Sequence, residues 1–115
     1  MIKVDVFRKN NSIYKFTVSG HAGFAEEGSD IVCSAVSILV INTINAIETF
    51  TGERAFAQAD NDEGGFIDYC FADTKTGIAN HDTQLLLETM VMGLKDIENE
   101  YNRYIKVNDK GGRTR

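Results

Sequence analysis

Residues 2–8 and 12–19 alternate apolar and polar side chains at period two, with Val, Ile, Phe and Tyr at the apolar positions. Asn10-Asn11 between them tolerates the positive φ of a tight turn, so the chain is predicted to open with a β-hairpin. From Asp30 the period becomes three and four. Val32, Ala35, Val36, Leu39, Val40, Ile44 and Ile47 form one helical stripe, which Ile31, Ile38 and Ile41 widen, so this helix is expected to be covered on most sides. Thr51-Gly52 ends it. Strand-like runs return over residues 54–60 and 65–72, joined by the turn at Asn61-Asp62-Glu63-Gly64-Gly65, which predicts a second hairpin. A polar loop over residues 74–82 precedes a second helix, predicted for residues 83–104, with Leu87, Met90, Val91, Leu94, Ile97 and Tyr101 on its inner face. Residues 104–107 suit a short edge strand. The strand–strand–helix order occurs twice. It predicts an α+β domain in which two β-hairpins form one antiparallel sheet with two helices packed on it, in the order ββαββα. The domain is expected over residues 1–109, and the basic segment 110–115 is expected to be a disordered tail.

Between the first hairpin and the first helix, residues 20–29 break the periodicity with three glycines and two acids, and read as a surface connection. The stretch Gly20-His21-Ala22-Gly23-Phe24-Ala25-Glu26-Glu27-Gly28-Ser29-Asp30-Ile31-Val32-Cys33-Ser34 sets a histidine twelve positions before a cysteine. A thiolate attacks carbonyls where a neutral thiol hardly does, and an imidazolium and the first turn of a helix both favour the thiolate. With Asp30 as N-cap, Cys33 falls in that first turn, and amides at the helix start, its own included, can receive an oxyanion. Asp30 works in either direction: it caps the helix or orients His21, or its charge opposes the thiolate. Ser37 follows Cys33 by one turn on the same face, either in the site or as a buried serine bonded back to the carbonyl at 33.

The same residues have plainer readings. A free cysteine on an apolar helix is also what an inert core residue looks like. Cys70, between Tyr69 and Phe71, reads as core, and His81 as a solvated or capping-region side chain. Glu26 and Glu27 would ordinarily be a solvated face, but beside a nucleophile they can hold a basic peptide. A zinc site from His21, Cys33, Cys70 and His81 has the right donors without the short paired spacings of zinc modules. No Walker loop or dinucleotide fingerprint occurs.

Size and charge narrow the classes. A chain of 115 residues supports a single core, and a net charge of -5 argues against direct nucleic-acid binding and against a membrane surface. Ser34, Ser37, Asn42, Thr43, Asn45 and Glu48 interrupt the apolar helix where a lipid-exposed span would stay apolar. Two widely spaced cysteines and an N-terminus that already alternates like a strand point to a reducing cytoplasm.

Gly20-His21-Ala22, then Gly28, then Asp30-Ile31-Val32-Cys33 with the small residues Ser34-Ala35, resembles the ribosomal-processing cysteine protease family, Prp. Asn45-Ala46-Ile47, the Asn61-to-Gly65 turn and the helix from Gln84 to Tyr101 are similar to that family as well. The resemblance implies a cytoplasmic, homodimeric cysteine endopeptidase without metal or organic cofactor. Its substrate would be the N-terminal extension of a large-subunit ribosomal protein precursor, the one numbered twenty-seven. It implies His21 and Cys33 as the catalytic pair, Asp30 as the acidic residue of the site, and a flexible segment over residues 22–29 that moves when peptide binds; Ser37, from its place on the helix, and Gly20, at the start of the motif, are expected in support. Ala22, Gly23, Phe24, Glu26, Glu27, Gly28 and Ser34 would then line the peptide site. The competing reading is a ribosome-assembly binding module that grips its partner without cutting it.

Overall fold

The structure, a computed structural model, describes residues 1–20, 29–60, 66–71 and 80–110, with the side chains at 29, 30, 56–60, 66–71 and 110 left aside. Its elements are β1 (Ile2–Lys9), β2 (Ser12–Ser19), α1 (Ser29–Thr51), β3 (Ala55–Asp60), β4 (Phe66–Phe71), α2 (His81–Glu100) and β5 (Ile105–Lys110). They form an α+β domain with a five-stranded sheet in the order β3-β4-β2-β1-β5.

The β1–β2 turn is made by Asn10 and Asn11 at φ 52° and 70°, the left-handed pair that matches the twist of a two-residue hairpin. The register shifts between Phe7 and Arg8, where Tyr14 is the extra residue. That insertion keeps Ile13 and Phe16 both in the core, each 0% exposed, although they are three residues apart. Gly52 at φ 76° terminates α1, and the Thr51 hydroxyl donates to the Ile47 carbonyl at 2.6 Å while accepting from the Glu53 amide at 3.1 Å.

Three expectations need correction. The sheet is mixed, not antiparallel throughout: β5 runs parallel to β1, Ile2 opposite Ile105 through Phe7 opposite Lys110, and adds a strand beyond the two hairpins. The second helix spans 81–100 instead of 83–104. Its N-cap is Asn80, whose side-chain oxygen accepts from the amides of Asp82 (2.9 Å) and Thr83 (3.1 Å). It stops at Glu100, and a turn closed by the Tyr104 amide on the Tyr101 carbonyl (2.9 Å) delivers the chain to β1, where the Ile2 amide donates to the Tyr104 carbonyl (2.8 Å). Third, α1 is not covered on most sides. Val32, Val36, Val40 and Ile47 are buried, but Ile31, Ile38 and Ile41 are 60%, 69% and 55% exposed on its outer face. By length and composition alone residues Ile31–Thr51 would suffice to cross a membrane, yet here one side of the helix packs on the sheet.

Both helices cover the same sheet face. Ile2, Val4, Val6 and Phe16 share one core with Val32, Val36 and Val40 of α1 and Leu87, Met90, Val91 and Leu94 of α2. The helices run antiparallel, because Thr83 near the start of α2 meets Thr51 at the end of α1 (Oγ1 to Oγ1, 3.4 Å) and Gly93 lies against Leu39. A Cβ at Gly93 would stand 2.9 Å from a Leu39 methyl, so the glycine sets the close approach.

Arg8 ties the sheet edge to α2. It is the last inward residue of β1, its side chain is 3% exposed, and all five of its N–H donors have acceptors. Nε and Nη2 donate to Asp109 of β5 (2.8 and 3.0 Å), Nη1 and Nη2 to Glu88 of α2 (2.7 Å each), and Nη1 also to the Asn11 carbonyl (3.0 Å). Lys95 adds a longer contact to Asp109 at 3.4 Å. Gln84 pins the hairpin from the same helix: Ile13 donates its amide to Oε1 (2.7 Å), and Nε2 donates to the Ile13 carbonyl (2.8 Å).

Candidate active site

Cys33 is a free thiol, partly exposed, with one side packed on the core of Val32 and Val36. A sulfur in that position is reachable from outside while its Cα is held by a rigid helix. α1 begins at Ser29, so Asp30 is inside the helix and not its N-cap, and Cys33 is the fifth helical residue. The correction has a chemical consequence. The amides without intrahelical acceptors belong to the first turn, before Cys33, so the Cys33 amide is taken up by helix bonding and the oxyanion donors would be its predecessors. The dipole also acts most strongly within that first turn.

Ser34 and Ser37 are exposed. The reading of Ser37 as a buried serine is therefore wrong: it stands one turn beyond Cys33 on the same flank of α1, facing out of the core. That flank is the one away from α2, since Leu39, which meets Gly93, lies on the other. The sequence pattern left both readings of Ser37 open, because a small polar residue fits a buried and an exposed position equally well.

Gly20 leaves β2 at φ 84°, and a Cβ there would overlap the Met1 carbonyl oxygen. Only glycine satisfies both conditions, so the direction in which the chain departs toward position 21 depends on it. Gly20→Ala is expected to cost about 1–3 kcal/mol through the strained φ and the clash, lowering the thermal midpoint; an unshifted midpoint would show that the backbone relaxes freely.

His21, Ala22, Gly23, Phe24, Glu26, Glu27 and Gly28 lie outside the described residues, as does the Asp30 side chain. Cys70 occupies the β4 position between Lys15 of β2 and Phe56 of β3 in the sheet register; its side chain is likewise outside the description. His81, the other histidine of the chain, opens α2 with its side chain 89% exposed and Nδ1 3.3 Å from Asp82 Oδ1. It is remote from Cys33. The start of α2 meets the end of α1 at Thr51, and the helix from Cys33 to Thr51 spans about 27 Å at about 1.5 Å per residue. A zinc site joining Cys33 to His81 is excluded by the same separation.

The family model described as cysteine protease Prp matches residues 1–106. A curated relative from Staphylococcus aureus (strain Mu50 / ATCC 700699), the ribosomal processing cysteine protease Prp, is 37% identical over 111 residues, covering 96% of this chain and all of the relative. The protein of that name from Bacillus subtilis (strain 168) is 32% identical over 108 residues, covering 93% and 96%. Among solved structures, an essential ribosomal processing protease Prp from S. aureus, in complex with a covalently linked product peptide, superposes with a TM-score of 0.81. It is 35% identical, with 95% of this chain and 99% of that one covered.

Proposed function

The chain belongs to the cysteine protease Prp family, and from that premise we propose that it is a cysteine endopeptidase with Cys33 as nucleophile and His21 as base. Its proposed substrate is the precursor of the large-subunit ribosomal protein numbered twenty-seven, from which it removes the N-terminal extension in the cytoplasm. The observation that carries the reading is the free, partly exposed Cys33 on a rigid helix, with His81 held at that helix's other end. With only two histidines in the chain, His21 is then the imidazole left to serve Cys33. The relative with a product peptide covalently attached supports thiol attack on a peptide carbonyl.

In this mechanism the Cys33 thiolate adds to the scissile carbonyl carbon, and first-turn amides of α1 receive the oxyanion. His21, protonated, delivers its proton to the departing amine, leaving a thioester on Cys33. It then takes a proton from water, whose oxygen displaces the sulfur and releases the new acid. Asp30 orients His21, Ser37 bonds within the site, and Ala22, Gly23, Phe24, Gly28 and Ser34 border the peptide. Glu26 and Glu27 attract its basic part. Incubating the chain with the extended precursor and weighing the products is expected to show one defined N-terminal truncation; an intact precursor in a stable complex would favour the binding module. His21→Ala is expected to lower kcat by roughly 10²–10⁴-fold at neutral pH, and near-normal turnover would remove His21 as the base.

The homodimer is part of the same proposal. The outer stripe of α1 runs through Ile31, Ser34, Ile38, Ile41 and Asn45, uncharged until Glu48, and its large apolar residues are exposed in the single chain. A two-fold axis between Ile38 and Ile41 sets these isoleucines against their symmetry mates and brings each Glu48 toward the positive N-terminal end of the other α1. Ile38→Glu is expected to convert the dimer to a monomer in light scattering; an unchanged mass would move the interface elsewhere.

A further inference from the structure

On the β2, β1 and β5 part of the sheet face turned away from the helices, lysines outnumber acids among the described side chains. Because Ile2, Val4 and Val6 point into the core, Lys3, Asp5, Phe7 and Lys9 point to the other side of β1. On β2 that side bears Ser12, Lys15, Thr17 and Ser19, and on β5 it bears Lys106 and Asn108. Lys3, Lys9 and Lys106 are exposed and Lys15 is half-buried. Asp5 accepts from the Asn108 amide at 3.2 Å, and β4 places Asp68 in register with Thr17. Asp5 shares the middle row with the buried Thr17 and with Asn108; the lysines occupy the rows on either side.

Lys3 stands directly opposite Lys106 on neighbouring parallel strands. Like charges so placed repel unless an anion lies between them. At the other end of the face the Lys15 ammonium sits 5.0 Å from the centre of the Phe7 ring, which meets Tyr14 at 6.4 Å between centroids. From Lys3 to Lys9 the strand covers about 20 Å at roughly 3.4 Å per residue. We propose that this open sheet face is a binding surface for a strand of RNA, with Lys3, Lys106, Lys15 and Lys9 on successive phosphates. A regular polyanion reaches both lysine rows at once. The hydroxyls of Ser12 and Ser19 and the aromatic pair of Phe7 and Tyr14 beside Lys15 suit sugar and base contacts of the kind that sheet surfaces make with single-stranded RNA. The net charge of -5, which argued against nucleic acid, averages over faces that a polyanion meets one at a time. Cys33 lies on the far side of the sheet, so a bound strand leaves it open.

Fluorescence anisotropy of a labelled 12-nucleotide oligouridine titrated with the full chain tests this. Four phosphate contacts at about 0.7 each predict a slope near -3 for log affinity against log salt, roughly a 50-fold weakening from 50 to 200 mM. Lys3→Glu with Lys106→Glu is expected to weaken binding at least tenfold at 50 mM salt and to flatten the slope, with the thermal midpoint unchanged. Lys3→Gln with Lys106→Gln, which introduces no new charge, should lie in between. No anisotropy change at 50 mM salt would overturn the proposal. So would equal binding by the double variants, or competition by a glutamate-rich peptide of the same charge as effective as unlabelled RNA.

Discussion

Cys33→Ala is expected to leave the extended precursor uncut over any practical incubation while the protein stays folded and dimeric. In enzymes where nucleophile and base act as a unit, removing the nucleophile costs about 10⁶-fold in kcat, because the remaining groups have no covalent step to assist. The structural cost is small. Cys33 is only partly buried, and losing its sulfur removes one atom from the edge of the core, expected to cost about 1 kcal/mol or less. Mass spectrometry of the precursor and the thermal midpoint of the variant separate the two effects. Unchanged cleavage by a folded Cys33→Ala protein would end the assignment of Cys33 as nucleophile. Precursor bound equally well but cut by neither protein would turn the reading to a binding module.

Arg8→Met is expected to produce the largest loss of stability. Methionine keeps much of the aliphatic volume but leaves Asp109, whose side chain is 9% exposed, and Glu88 facing each other without their shared cation. Removing one partner of a buried ion pair costs about 3–5 kcal/mol, and at roughly 4 °C per kcal/mol for a chain of this size the midpoint should fall by about 12 °C or more. Arg8→Met combined with Asp109→Leu should recover part of it, since the stranded charge is then gone. A single variant melting within about 3 °C of the wild type would show that water enters and replaces the guanidinium.

Acid should act on the same cluster. The hydrogen bonds from Arg8 hold the Asp109 carboxyl below its ordinary value of 3.8, against the opposing effect of burial, while the two carboxylates raise Arg8 so that it stays charged throughout. A depressed carboxyl contributes stability that is complete above its unfolded value and is lost as pH falls through the folded one. Unfolding free energy is therefore expected to decline below about pH 4 in the wild type, and less steeply in Arg8→Met. Equal slopes would place the acid sensitivity at other carboxylates.

Much of the scaffold was readable from local chemistry. The Asn10-Asn11 turn, the two helical stripes and the Gly52 stop follow from φ preferences and side-chain periods within a few residues. The start of α2 lies two residues before the expected one, because Asn80 as a cap sits inside a polar stretch that reads equally well as loop. Asp30 reads from the sequence as a cap one step outside a helix that in fact includes it, so Cys33 falls beyond the first turn. Arg8 carried no signal at all: a charged residue at an inward strand position is legible only once its partners are known.

The amino-acid sequence by itself therefore settles most of which segments become strands and helices, and that a histidine and a cysteine of a recognisable motif flank the start of α1 in the chain. Tertiary structure alone decided the parallel seating of β5, the partners of Arg8 at 80 and 101 residues' remove, the exposure of Ile38, and the distance between His81 and the thiol. Periodicity reports what a residue needs from its immediate neighbours. Register between distant strands and the choice of which helix face is covered depend on how all the elements pack together, and no local window contains that information.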